Sequence, residues 1–140
     1  MLIILLAYVV GFSQGKYGNW IRIDEPPMPT ITIGGKNVEV FLNGYSWCEK
    51  PFIPRTTRCV ITDSAGTEEI VKTKQIKPVV VEPETKIEVE FDSEYKTSVR
   101  EFEITRYDTP KEKGVYIYNI HTKWRAEQGE SNYSFVIEVQ

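Results

Sequence analysis

Two cysteines, one histidine and three tryptophans are the residues of this chain with the most chemistry to offer. Cys48 and Cys59 bracket a proline-bearing stretch, WCEKPFIPRTTRC. In an oxidising compartment such a pair closes as a disulfide. As part of a zinc site it would need two further ligands, and the sole histidine, His121, lies far along the chain. No CxxC redox motif occurs. The expectation for Cys48 and Cys59 is therefore a disulfide, contributing on the order of 2–3 kcal/mol through the loop it closes.

His121 is the natural acid-base candidate, yet the alternation of its segment puts it on an outward strand face with no partner nominated by sequence. Carboxylates are plentiful, among them Glu68, Glu69, Glu82, Glu84, Glu88, Glu90, Glu101 and Glu103. A two-carboxylate hydrolase needs a pair at fixed separation in one cleft, whereas Glu alternating along strands is what a solvated sheet face requires. Calcium ligation around Asp63 or Asp92 lacks a dense Asp/Asn cluster. Nucleophile elbow, phosphate loop, metalloprotease helix and dinucleotide fingerprint are all absent. No catalytic residue, metal ligand or cofactor is expected, and the chain is read as a non-enzyme.

The aromatic residues are more suggestive. Tyr45, Trp47 and Phe52 cluster around the cystine, and Trp124 is a further indole. Exposed on a disulfide-braced loop, these four would form a rigid contact patch for a sugar ring or a protein. The opposing expectation is that Trp47 packs in the core against the disulfide. Asn132-Tyr133-Ser134 matches the N-glycosylation pattern.

The elements that must position these residues are strands. Thr30 to Ile33 and Val38 to Phe41 flank Gly34-Gly35-Lys36-Asn37, whose glycines suit a hairpin turn, and Asn43-Gly44 marks a second turn before Tyr45 to Cys48. Trp20 to Ile23 is β-prone, and Arg58 to Thr62 returns from the cystine loop. Thr67 to Lys74 is the one helical stretch, opened by a Thr67 cap. Val79 to Val81 and Lys86 to Phe91 follow, with Ile87, Val89 and Phe91 on one side and Glu88 and Glu90 on the other. Val99 to Tyr107 points Phe102 and Ile104 inward. Gly114 to Trp124 carries Tyr116, Tyr118, Ile120 and Trp124 on one face, Gln128-Gly129-Glu130 turns, and Tyr133, Phe135, Ile137 and Val139 alternate to the end. Eight or nine short strands with at most one short helix predict an all-β, antiparallel β-sandwich.

Pro78-Val79-Val80-Val81-Glu82-Pro83-Glu84-Thr85-Lys86-Ile87-Glu88-Val89 resembles the opening strands of bacterial immunoglobulin-like domains. Glu112-Lys113-Gly114-Val115-Tyr116-Ile117-Tyr118 is similar to their acidic-x-Gly-x-Tyr tyrosine corner. The resemblance spans about residues 78–140 and implies an immunoglobulin-like sandwich in which a Tyr hydroxyl ties back to the preceding loop. Tyr118 stands where that family places a cysteine, so its inter-sheet disulfide is absent. Fold is implied, not activity.

Met1 to Phe12, MLIILLAYVVGF, is too short to span a bilayer core of about 30 Å and fits the apolar region of a signal peptide. No basic residue precedes it, so a signal peptide and a short membrane anchor both remain open, with a buried strand or helix of the domain as the competing reading of a short apolar run. The expected organisation is a signal peptide or anchor over 1–15, a linker or lead-in loop over 16–29, and one β-sandwich domain over 30–140. The 140 residues, 41% hydrophobic and 26% charged, provide one core, and 17 basic against 20 acidic side chains offer no field for nucleic acid. The function expected is a secreted or cell-envelope interaction module with a protein or envelope partner. Membrane contact is expected only through an uncleaved N-terminal segment. The alternative is a secreted carbohydrate- or small-ligand-binding module using the aromatic patch near Trp47.

Overall fold

The computed structural model describes residues 18, 20–53, 57–63 and 66–140; the apolar segment over 1–15 lies outside them. Among the described residues nine strands form two sheets, an all-β sandwich as the alternation implied. The smaller sheet has the order β2-β1-β6, from β1 (Thr30–Ile33), β2 (Lys36–Val38) and β6 (Ile87–Glu90). The larger runs β4-β3-β9-β8-β7, from β3 (Val40–Cys48), β4 (Cys59–Thr62), β7 (Val99–Ile104), β8 (Gly114–Trp124) and β9 (Gly129–Val139). β5 (Val79–Val81) joins it parallel to β9. Two short helices, α1 (Thr67–Thr73) and α2 (Ser93–Lys96), lie between strands.

β9 organises the larger sheet. One of its edges pairs with β8 along its length, and the other is shared end to end by β3, from Trp47↔Gly129 to Val40↔Phe135, and β5, from Val79↔Ile137 to Val81↔Val139. Its alternating Tyr133, Phe135, Ile137 and Val139 are all buried, facing Ile31, Ile33 and Ile87 of the smaller sheet within one apolar cluster. At one end of that cluster Trp124 meets Trp47 edge to face at 5.5 Å and Phe91 at 5.3 Å, a geometry that sets positive ring edges on negative faces.

Most of the sequence-derived elements stand, with corrections: two short helices form where at most one was expected, and Gly66 rather than Thr67 stands at the N-cap of α1. The Gly34-Gly35 hairpin forms with both glycines at positive φ, but the strand expected over 38–41 breaks at Glu39, where the chain leaves the smaller sheet for the larger. Asn43-Gly44 is not a turn. It is a bulge inside β3, where the register against β9 shifts between Leu42 and Tyr45 and Gly44 takes φ +83°; a positive φ serves a bulge as well as a turn. Trp20 to Ile23 is not a strand, and the turn read at 128–130 lies earlier, in a 3-10 turn over Arg125–Glu127.

The segment before β1 is part of the domain wall rather than a free linker. Trp20, Ile21, Pro26, Pro27 and Pro29 are buried. The buried Gln128 amide grips this segment: its Oε1 accepts from Ile21 N–H at 2.8 Å and its Nε2 donates to Ile21 O at 2.8 Å and Cys48 O at 3.0 Å. One side chain thus satisfies backbone groups that an irregular segment cannot pair for itself. Trp47 Nε1 donates to Ile23 O and Trp20 Nε1 to Ala126 O. The tyrosine-corner bond implied by the sequence resemblance is made by Tyr116, whose hydroxyl donates to Glu112 O at 2.8 Å; Tyr118 adds a second tie to Asp108 O.

Candidate functional site

Cys48 and Cys59 are joined, bridging β3 and β4 with Cα atoms 4.0 Å apart. The backbone pattern fixes what this end of the sheet presents. Glu49 N–H donates to Arg58 O at 2.8 Å, so 49/58 is a hydrogen-bonded pair and, with the ladder alternating, 48/59 and 46/61 are non-hydrogen-bonded pairs. On β4, therefore, the N–H and C=O of Cys59 and Ile61 point away from β3 to the open edge. Side chains alternate likewise: Trp47 points into the core, so Cys48 and the disulfide lie on the outer face. The expectation that Trp47 packs in the core holds, but the disulfide is on the other side of the sheet from it.

The four residues read as one aromatic patch are separated by the fold. Trp47 and Trp124, 1% and 2% exposed, belong to the core, and half-buried Tyr45 packs against it. Each falls on the inward face of its strand, which corrects their assignment to a ligand surface. Only Phe52, 87% exposed, stands out on the cystine loop. It is joined by two residues that sequence reasoning passed over, Ile53 at 63% and Ile61 at 79% exposure. Their signal was an apolar residue beside the loop's prolines and an apolar outward position on an edge strand. The Arg22 guanidinium sits 4.3 Å over the Phe52 ring, a cation–π contact that holds the exposed ring in place.

The two edges of the larger sheet differ in chemistry. β7 carries Arg100, Glu101 and Glu103, charges that discourage pairing with another chain. β4 reads Cys-Val-Ile-Thr, with no charge along its four residues.

His121 lies on the outer face as expected, and the structure supplies the partners that sequence did not. Its Nδ1 is 2.7 Å from Asn132 Oδ1 and its Nε2 3.6 Å from Glu130 Oε1. Glu101, Glu103 and Lys123 complete the rim of a shallow 240 Å³ depression. Among the described residues no group of His, Cys, Asp and Glu is arranged to hold a metal ion. Asn132-Tyr133-Ser134 runs along β9 with Ser134 buried and bonded to Asn119, so the glycosylation pattern sits in a paired strand rather than a loop.

Among the described residues one titratable group is strongly displaced. Burial pushes the Tyr133 phenol well above its ordinary value, the hydrogen bond from Ser131 opposing only in part, and its hydroxyl donates to Pro27 O. The folded state thus keeps this proton more tightly than the unfolded chain. The stability it contributes is full below about pH 10 and falls above it by up to ~1.4 kcal/mol per pH unit. Urea midpoints measured from about pH 9 to 11.5 should drop accordingly, and Tyr133→Phe, less stable at neutral pH, should show a shallower decline.

No protein-family model, curated protein or solved structure matches this chain. Its class rests on the architecture itself: a β-sandwich whose larger sheet ends in a cystine-braced, uncharged edge.

Proposed function

We propose that this chain is a non-enzymatic interaction module of the cell envelope or secreted fraction, and that it binds an extended segment of a protein partner by strand addition at β4. The observation that carries the reading is Ile61: its side chain is exposed and its outward N–H and C=O are aimed at the open edge of an uncharged strand. Main-chain hydrogen bonds from such an edge supply affinity, and alternate side chains supply specificity. The Cys48–Cys59 bridge ties β4 to β3, so the edge is presented preformed and little ordering cost falls on binding. A disulfide is compatible with work outside the cytoplasm. Among the described residues no helix is long and apolar enough to cross a membrane.

Proline at position 61 tests the reading sharply. Residues 60 and 62 make the bonds to β3, so Ile61→Pro removes an outward donor while sparing the inner ladder. Phage-displayed peptides selected on the immobilised full chain should be extended and alternating in pattern. They should bind Ile61→Pro at least about tenfold more weakly than wild type, and Ile61→Val nearly as well. Selection of no extended peptide, or equal binding to wild type and Ile61→Pro, would overturn strand addition.

A further inference from the structure

Phe52 and Ile53 are adjacent on the cystine loop, both exposed, and they do not belong to the β4 edge. Their surroundings say what they face. Arg22, stacked on Phe52, also lines an open depression of 460 Å³ with Lys50, Gly18 and Trp20. Gly18 is where the preceding 17 residues, with their apolar run MLIILLAYVVGF, enter the described part of the molecule. Gly18 therefore lies at the end of the sandwich that presents Phe52 and Ile53. Among the described residues Arg22 and Lys50 line the depression with Glu94, Arg58 stands with Glu49 at the loop's closing pair, and Asp24 and Glu25 follow Arg22 in the chain, so cations flank the apolar pair within a mixed rim.

We infer that this end of the sandwich docks on a lipid bilayer, with Phe52 and Ile53 entering the interface and Arg22, Lys50 and Arg58 at headgroup level. Two adjacent apolar side chains flanked by cations are the composition of an interfacial contact, in which rings and aliphatic groups sit at the acyl boundary while basic groups stay with phosphate. The cystine closes the loop that carries the apolar pair, and the Arg22 stack keeps the ring projecting. If uncleaved, the apolar N-terminal run would bring the same end of the domain to the bilayer, and the loop would meet it at high effective concentration and need little affinity of its own. The contact uses neither Ile61 nor the β4 backbone, so it stands or falls apart from strand addition.

The test reads the loop itself, since the N-terminal run alone would carry the full chain to vesicles. Trp20, Trp47 and Trp124 are all buried, so a tryptophan introduced as Phe52→Trp, which keeps a ring under Arg22, is the exposed reporter against the background of the unsubstituted chain. The full-length, disulfide-bonded variant is mixed with phosphatidylcholine vesicles containing phosphatidylglycerol, with or without acyl-chain-brominated lipid. With insertion to about 5–10 Å, the residue-52 emission should shift to the blue, lose about half its intensity to brominated lipid and become protected from iodide. Lys50→Glu should weaken these changes, and Ile53→Trp provides a second reporter should the first variant fold poorly. The inference is overturned if the chain floats with the vesicles while residue 52 stays open to iodide and untouched by brominated lipid. It is equally overturned if the loop becomes protected only on adding a protein, which would make it a protein contact.

Discussion

Adding a single methyl group at Gly129 is expected to destabilise the protein by about 3 kcal/mol or more, beyond what overpacking a pliable core costs. Gly129 opens β9 directly opposite Trp47 on β3. A Cβ there would collide with Ser46 O and lie 2.9 Å from Ser46 C and 3.0 Å from Trp47 Cα. The obstacle is backbone, which cannot rotate aside as a side chain can, so Gly129→Ala must separate β3 from β9 or displace the chain around Gln128. Since Gln128 holds Ile21 and Cys48, the damage spreads to the N-terminal wall and the base of the cystine loop. Urea denaturation should show the loss. Hydrogen exchange should speed up first at Cys48 N–H, which donates to Gln128 O. A variant within 1 kcal/mol of wild type, on the order of an ordinary surface substitution, would refute this account of the seam.

Trp124→Ala should cost about 3–5 kcal/mol, the range for removing a large buried aromatic side chain. The indole stacks edge to face on Trp47 and Phe91, and its Nε1 donates to Ser131 Oγ at 2.9 Å. Ser131 donates in turn to the Tyr133 hydroxyl, which donates to Pro27 O. Truncation therefore opens a cavity and breaks the head of a buried relay that ends on the N-terminal segment. Trp124→Phe separates the two effects: it keeps a ring but deletes the donor, leaving Ser131 short of a partner at a cost of about 1–3 kcal/mol. Guanidinium denaturation of both variants checks the order, and a Phe variant as damaging as Ala would place the energy in the relay rather than the cavity.

What the sequence revealed and what it hid have the same cause. β8 and β9 were legible because one face of each is buried against the other sheet, and burial on one face writes a period of two into the residues. The cystine was legible from Cys48 and Cys59, an even pair around a short loop. Trp47 and Gln128 show the limit. An indole beside a cysteine reads the same whether it faces solvent or core, until the strand's parity is known, and a Gln before Gly reads as a turn residue though this one is a buried clamp. The proline-rich segment before β1 has no ladder pattern, because Pro removes donors. Composition says that such a segment lacks regular structure; it does not say that Gln128, Trp47 and Tyr133 will bind its carbonyls. Of the contact surface, Phe52 was recognised, while Ile61 emerged only once β4 proved to be an edge.

The placement of β9 between β8 on one side and β3 and β5 on the other has a consequence for the order of events in the cell. Among the described strands β9 follows all the others in the chain, and it is the one on which the larger sheet closes. Until residues 129–139 emerge, β3 lacks the partner for its second edge, β8 lacks one of its two neighbours and β5 has no strand beside it, so the larger sheet stays in separate pieces. Assembly of the larger sheet therefore waits for β9, and a chain stalled before Gly129 exposes unpaired edges of the kind that make partly folded species prone to aggregate.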